Sequence, residues 1–171
     1  IRDRFCTVSE ITARECESLL GSTVDVVTPN GFEDDFVWNG REFDEKRAEA
    51  RRAMIRTAEA TLSCKFDGEP LIVGTSGRYE FRNKGIDIFL DALKQLAETD
   101  ALDREVLVYI TVPSATTGPR KDLQAHLADE NSPIDPKQNR FCTHYLEHPE
   151  WDQILNSIAG SVLANPSSKV K

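Results

Sequence analysis

Short apolar runs alternate with amphipathic stretches along the chain. The runs typical of short or buried strands are residues 4–8, 24–27, 71–73 and 106–110. Helical periodicity is seen in residues 9–20, 41–62, 84–99 and 152–163. Ser9 is a predicted N-cap, and Gly21 and Asn165–Pro166 are predicted helix ends. This alternation of strands and helices predicts an α/β fold with a parallel sheet.

The segment between the third run and its helix carries the strongest chemical signal. Residues 77–85 read Gly-Arg-Tyr-Glu-Phe-Arg-Asn-Lys-Gly. Parallel sheets place ligands at the carboxyl ends of strands and anions at helix N-termini. Arg78 and Lys84 bracket this loop, where the helix dipole disfavours cations unless an anion is bound. The pattern predicts a diphosphate-binding loop, with Arg82 exposed to solvent.

Composition narrows the classes of function. The chain has 171 residues, of which 39% are hydrophobic, and a net charge of -8, so it is long enough for a hydrophobic core. The negative charge argues against binding to nucleic acid or to an anionic membrane surface. No apolar run approaches the roughly 20 residues that span a bilayer, and no signal-peptide pattern opens the chain. A cytoplasmic location is the resulting expectation.

Cysteine and histidine spacing gives no support for a metal site. The chain has four cysteines and three histidines, without a Cys-x-x-Cys pair or a His-Glu-x-x-His motif. We expect the cysteines to be free and mostly buried. They are Cys6, Cys16, Cys64 and Cys142.

Residues 77–85, followed by Ile86 to Leu93, resemble the start of the C-terminal Rossmann domain in glycogen synthases of the animal and fungal type, including bacterial relatives. Two further parts of the chain resemble this family in the same order. Upstream of this loop, the matching residues are 4–13 and Thr28 to Gly31. Downstream of it, they are Cys142 to His144 and Ile154 to Ile158. Thr111 to Asn139 match weakly and read as loops around a short helix near Asp122 to Asp129.

The resemblance implies a GT-B architecture, in which two Rossmann-like domains face each other across a cleft. Residues 1–39 would be the C-terminal part of the first domain, residues 40–68 an interdomain helix and linker, and residues 69–171 the first part of the nucleotide-sugar-binding domain. The chain opens on Ile1 rather than Met, and residues 167–171 are predicted to begin a strand. We therefore expect a piece truncated at both ends.

The resemblance also implies an activity and its residues. Family members transfer glucose from UDP-glucose to the non-reducing end of an α-1,4-glucan, with retention and without a metal ion or other cofactor. Arg78 and Lys84 would neutralise the departing diphosphate, because Arg offers a planar fork and Lys a movable charge. Asn30 with Gly31, and Thr143 with His144, would bind substrate, and His144 is not expected to be a general base.

The resemblance also indicates where a regulatory pocket would lie, by the positions of its residues and not by their identity. Arg41, Asp44 and Arg47 occupy places where regulated family members carry two His and a Gln that bind glucose-6-phosphate. Because all three residues differ, we do not expect this control. By composition alone, the arginines of this helix form a solvated face.

Several alternatives remain open at this point. The family's Glu-x7-Glu motif does not occur in this sequence, so we expect the chain by itself to be inactive. The parent could instead be another GT-B glycosyltransferase with a different donor or acceptor, or a non-catalytic scaffold. The sequence does not separate UDP from ADP donors, and incomplete sheets could pair with another copy of the chain through their edges.

Overall fold

The computed structural model describes residues 3–99 and 101–171, so Ile1 lies outside the described part. The chain divides into two compact units, Ile1–Arg47 and Ala48–Lys171. The strands are β1 (Cys6–Thr7), β2 (Val26–Val27), β3 (Leu71–Ser76), β4 (Val106–Thr111), β5 (Thr116–Pro119) and β6 (His144–Leu146). The helices are α1 (Glu10–Leu20), α2 (Gly40–Leu62), α3 (Ile86–Ala97), α4 (Lys121–Ala128) and α5 (Gln153–Ile158). The α/β class is confirmed.

The first unit pairs β1 with β2 in parallel around α1. The predicted caps of α1 are confirmed, since Ser9 accepts a hydrogen bond from the Thr12 N–H at 3.1 Å and Gly21 adopts a left-handed conformation. The predicted burial is wrong, because Leu19 on α1 is 82% exposed and Val26 of β2 is 43% exposed. Two strands of two residues each provide too little surface to cover an apolar helix face.

The second unit is built on a parallel sheet. Strands β3 and β4 pair in register from Leu71 opposite Val106 to Ser76 opposite Thr111, and α3 forms the crossover. Val170 bridges Val106 in parallel on the other side of β4. The predicted start of a strand at residues 167–171 is thereby confirmed.

The core of this unit lies between α3 and the sheet. Ile86, Leu90 and Leu93 of α3 pack with Val106 and Val170, and all five are less than 9% exposed. Burying a side chain of this size contributes about 1.5–3 kcal/mol. The core therefore fixes the start of α3 against the end of β3, which determines the shape of the loop between them.

Two predictions in the second unit need correction. Residues 116–119 were expected in a loop but form β5, which pairs antiparallel with β6, while the short helix is confirmed as α4. The predicted helix 152–163 breaks after Ile158, because Gly160 adopts φ +72° and Ser161 caps a separate 3-10 turn at Val162–Ala164. The predicted helix end at Asn165–Pro166 is therefore wrong, because the helix itself ends at Ile158 and only the separate 3-10 turn extends to Ala164.

The cysteines are free, as predicted, but they are less buried than expected. Cys6 is exposed and the other three are half-buried. In the described part of the chain, no helix combines the length and the apolar character needed to cross a bilayer.

Candidate functional site

The loop from Gly77 to Gly85 connects β3 to α3, and its side chains divide between the core and solvent. Tyr79 and Phe81 pack against the hydrophobic core. Arg78, Arg82 and Lys84 are exposed, so the prediction for Arg82 is confirmed. This alternation fixes the backbone of the loop while leaving its cations accessible.

Tyr79 fixes the loop to the start of α5. Its hydroxyl donates a hydrogen bond to Asp152 Oδ2 at 2.9 Å and accepts one from the Ile154 N–H at 3.1 Å. Asp152 also caps α5 by accepting a hydrogen bond from the Leu155 N–H at 2.8 Å. Burial, and secondarily the Asp152 carboxylate, raise the pKa of Tyr79 to about 12. The hydroxyl therefore stays protonated and serves as a structural anchor.

The two predicted anion ligands, Arg78 and Lys84, lie on this loop. Arg78 Nε is 3.1 Å from Glu80 Oε1, and the Arg78 side chain is 76% exposed. Lys84 is exposed, and its ammonium contacts no carboxylate within the described residues. Glu80 therefore partly neutralises Arg78, and an anion bound here would compete with this weak surface pair.

The end of the loop leads directly into α3. Gly85 caps this helix in the left-handed conformation at φ +67° and provides no side-chain cap. The Asp87 N–H donates to the Phe81 carbonyl at 3.2 Å, and the Ile88 N–H donates to the Asp87 carboxylate at 2.9 Å. Lys84 thus stands at the positive end of the helix dipole, a position that favours a bound anion.

Thr143 and His144 lie in the same unit but outside this loop. They line a cavity of about 410 Å³ to which Asp152 also contributes. Thr143 Oγ1 is 3.0 Å from His144 Nδ1, and the Thr143 carbonyl accepts a hydrogen bond from the Arg120 N–H at 3.0 Å. Asp152 therefore connects this cavity with the residue that anchors the loop.

A buried ion pair holds the segment before Thr143, and sequence reasoning missed it. The Arg120 side chain is 1% exposed and binds both carboxylate oxygens of Asp122, at 3.1 and 2.6 Å. Its remaining nitrogen donates to the carbonyls of Asn139 and Cys142 at 3.0 and 3.1 Å. We call these four residues the Arg120 clamp. The hydrogen bonds from Arg120 lower the pKa of Asp122 to about 2.

The remaining predicted site residues belong to the first unit. Asn30 and Gly31 are exposed and follow β2, whose pairing extends to Thr28 through a 2.7 Å hydrogen bond to the Thr7 carbonyl. They lie after the carboxyl end of this strand, in a segment without regular secondary structure.

The three positions of the expected effector pocket are also in the first unit, on the first half of α2. Arg41 pairs with Glu45 at 2.8 Å, and Asp44 and Arg47 are exposed. No cluster of metal-ligating side chains is found within the described residues. The helix surface here is solvated, and Arg41 takes part in an exposed ion pair.

Comparison with known proteins identifies the family. The family model described as "Glycogen synthase" matches residues 1–125. The chain is 36% identical over 121 residues to the glycogen (starch) synthase of Neurospora crassa, and 39% identical over 118 residues to the liver glycogen (starch) synthase of Homo sapiens. These matches cover 67% and 66% of the chain but only 17% of each relative. The chain thus matches about a sixth of the length of these relatives.

Proposed function

Because the chain belongs to the glycogen synthase family, we propose that it is part of an enzyme that transfers glucose from UDP-glucose to an α-1,4-glucan. The transfer adds glucose to the non-reducing end with retention at the anomeric carbon. The observation that supports this proposal most directly is the loop from Gly77 to Gly85, which holds three exposed cations, Arg78 and Lys84 among them, on a backbone fixed from the core side. The 171 residues contribute the diphosphate-binding part of that enzyme.

Arg78 and Lys84 stabilise the leaving group in this proposal. When the bond between glucose and the diphosphate breaks, negative charge grows on the diphosphate, and fixed positive charge nearby lowers the barrier. Arg78 leaves Glu80 and presents its planar fork to two phosphate oxygens, while Lys84 supplies a second charge at the start of α3. Tyr79 and Phe81 keep the loop from rearranging as the charge moves.

The wider architecture is part of the same proposal. The two units would belong to the two facing Rossmann-like domains of a GT-B enzyme, with residues 40–68 as the connection between them. Asn30 and Gly31 would then contact the sugar from the first domain, and Thr143 with His144 from the second. The cytoplasmic location, the absence of a cofactor and association between copies of the chain stay predictions.

The test is incorporation of labelled glucose from UDP-glucose into glycogen by the whole enzyme. We expect Arg78→Ala to lower kcat by about 100- to 1,000-fold, the usual loss when one charge-stabilising donor is removed. Arg82→Ala is the matched control, because Arg82 is an exposed arginine of the same loop, and its kcat should stay within about threefold of the original.

Two results would contradict the proposal. Equal losses in the two variants would mean that the loop acts only through its general positive charge. A folded enzyme that incorporates no glucose would rule out the synthase activity and direct attention to other donors and acceptors. The 171-residue chain by itself should show no transfer.

A further inference from the structure

A second concave site lies beside the anion-binding loop. It is a cleft of about 320 Å³, at the lower end of the range for small-molecule sites. Its walls come from the segments that follow β3 and β4, from the end of β6 and from the 3-10 turn at Pro149–Trp151, so it lies toward the carboxyl edge of the parallel sheet. The lining includes Tyr79, Ser114, His148, Trp151, Asp152 and Gln153.

Trp151 gives the cleft an aromatic wall that is held in place. Its indole is 70% exposed and stacks on the His148 ring, with ring centres 4.5 Å apart and planes 24° apart. The backbone beneath it is a closed turn, in which the Trp151 N–H donates to the His148 carbonyl at 3.1 Å. An exposed and oriented indole can accept a flat apolar surface at a small cost in conformational entropy.

The other walls favour a neutral ligand with many hydroxyl groups. Ser114, Asp152 and Gln153 offer donors and acceptors, and the lining contains neither Lys nor Arg. The Asp152 carboxylate already accepts two hydrogen bonds, which leaves it capacity for more. A phosphate group would meet this carboxylate without a Lys or Arg in the lining to balance it, so a nucleotide is disfavoured.

We propose that this cleft binds a glucose unit of an α-glucan chain, with the C–H face of the sugar ring on Trp151 and its hydroxyl groups toward Ser114, Asp152 and Gln153. This inference rests on the proposed function for the identity of the glucan. Tyr79 belongs to both the cleft wall and the anion-binding loop, so a glucan held here lies next to the donor site. The cleft provides a glucan contact that is separate from the diphosphate contact.

The two tryptophans of the chain make a direct binding test possible, because Trp38→Phe leaves Trp151 as the only indole. In that variant, maltoheptaose should change the fluorescence of Trp151 in a saturable way. Gel electrophoresis in glycogen should retard the unmodified chain, and Trp151→Ala should weaken apparent affinity by about tenfold, the effect of losing one aromatic contact.

Trp38→Ala is the matched control for retardation, since Trp38 is also half exposed and lies in the first unit. It should leave the retardation unchanged. A constant Trp151 fluorescence at saturating maltoheptaose, or equal retardation of Trp151→Ala and the unmodified chain, would overturn the inference. Circular dichroism verifies that both variants are folded.

The binding assay contains no nucleotide sugar, which separates this inference from the proposed function. Arg78→Ala should bind maltoheptaose as the unmodified chain does. An enzyme without transfer activity that still shows Trp151-dependent binding would refute the proposed function alone. An active enzyme that is indifferent to Trp151 would refute the glucan contact alone.

Discussion

Replacing Asp122 with asparagine removes the charge that balances a buried arginine while keeping nearly the same shape. The Asp122 side chain is 12% exposed and Arg120 is 1% exposed, so little solvent reaches the pair. The folded protein lowers the pKa of Asp122 from 3.8 to about 2. At about 1.4 kcal/mol for each pKa unit, the charged form of Asp122 contributes about 2 kcal/mol to folding at neutral pH.

The sign of this contribution determines how the variant responds to pH. Because the pKa is lower in the folded state, the stabilisation is complete above the unfolded pKa near 4 and is lost as pH falls toward 2. Asp122→Asn should therefore be about 2 kcal/mol less stable than the original chain at pH 7. The difference should shrink progressively between pH 5 and pH 2.

Urea unfolding followed by circular dichroism at pH 7, 5 and 3 measures this difference. Asp91→Asn is the control, because Asp91 also forms an ion pair, with Lys94 at 3.0 Å, but is 66% exposed. That pair should contribute less than about 1 kcal/mol. A stability difference for Asp122→Asn that stays constant with pH, or that is no larger than the control at pH 7, would refute the reasoning.

Two further predictions concern the loop between β3 and α3. Tyr79→Phe should lower the free energy of unfolding by about 1–3 kcal/mol, because Asp152 loses its donor and the Ile154 N–H loses its acceptor. An unchanged urea midpoint would contradict the role of the Tyr79 hydroxyl as a structural anchor. Gly85→Ala should cost about 1–2 kcal/mol through backbone strain alone, since φ is +67° and no atom lies within 4 Å of the added methyl group. Gly31→Ala, at a glycine without positive φ, is its control and should stay within about 0.5 kcal/mol.

The elements that sequence predicted well are those specified by local patterns. Helix α3 places Ile86, Leu90 and Leu93 on one face, and this spacing is visible without any tertiary information. Ser9 and Gly21 likewise bound α1 through contacts within a single turn. Local capping and periodicity act over a few residues, so they are readable from the chain itself.

The elements that sequence missed depend on distant partners. Strand β5 contains Gly118 and Pro119 and shows no alternation, and it becomes a strand because β6 pairs with it from across α4. The first unit shows the opposite error, since Leu19 has the right spacing for a core but lacks a layer that covers it.

The candidate site also has features that the sequence predicts and features that only the folded chain reveals. The exposed positions of Arg78 and Lys84 before α3 could be predicted from the strand-loop-helix pattern, although their roles stay predictions. Three other features could not be predicted from the sequence. They are the ion pair between Arg78 and Glu80, the hydrogen bond from Tyr79 to Asp152, and the Arg120 clamp. Each of these depends on loop shapes that only the folded chain defines.

In the sheet of the second unit, the residue that pairs with the outer edge of β4, Val170, is synthesised long after β4 itself. Val170 completes the buried side of β4, and Lys171 pairs with Glu105, which lies 66 residues earlier. At roughly 5–20 residues per second, a ribosome needs about 3–13 s to make the intervening segment. During that interval, one edge of β4 has no partner from its own chain while β3 already can pair on the other side. The nascent chain therefore displays an apolar strand edge, the kind of surface that chaperones bind and that drives aggregation.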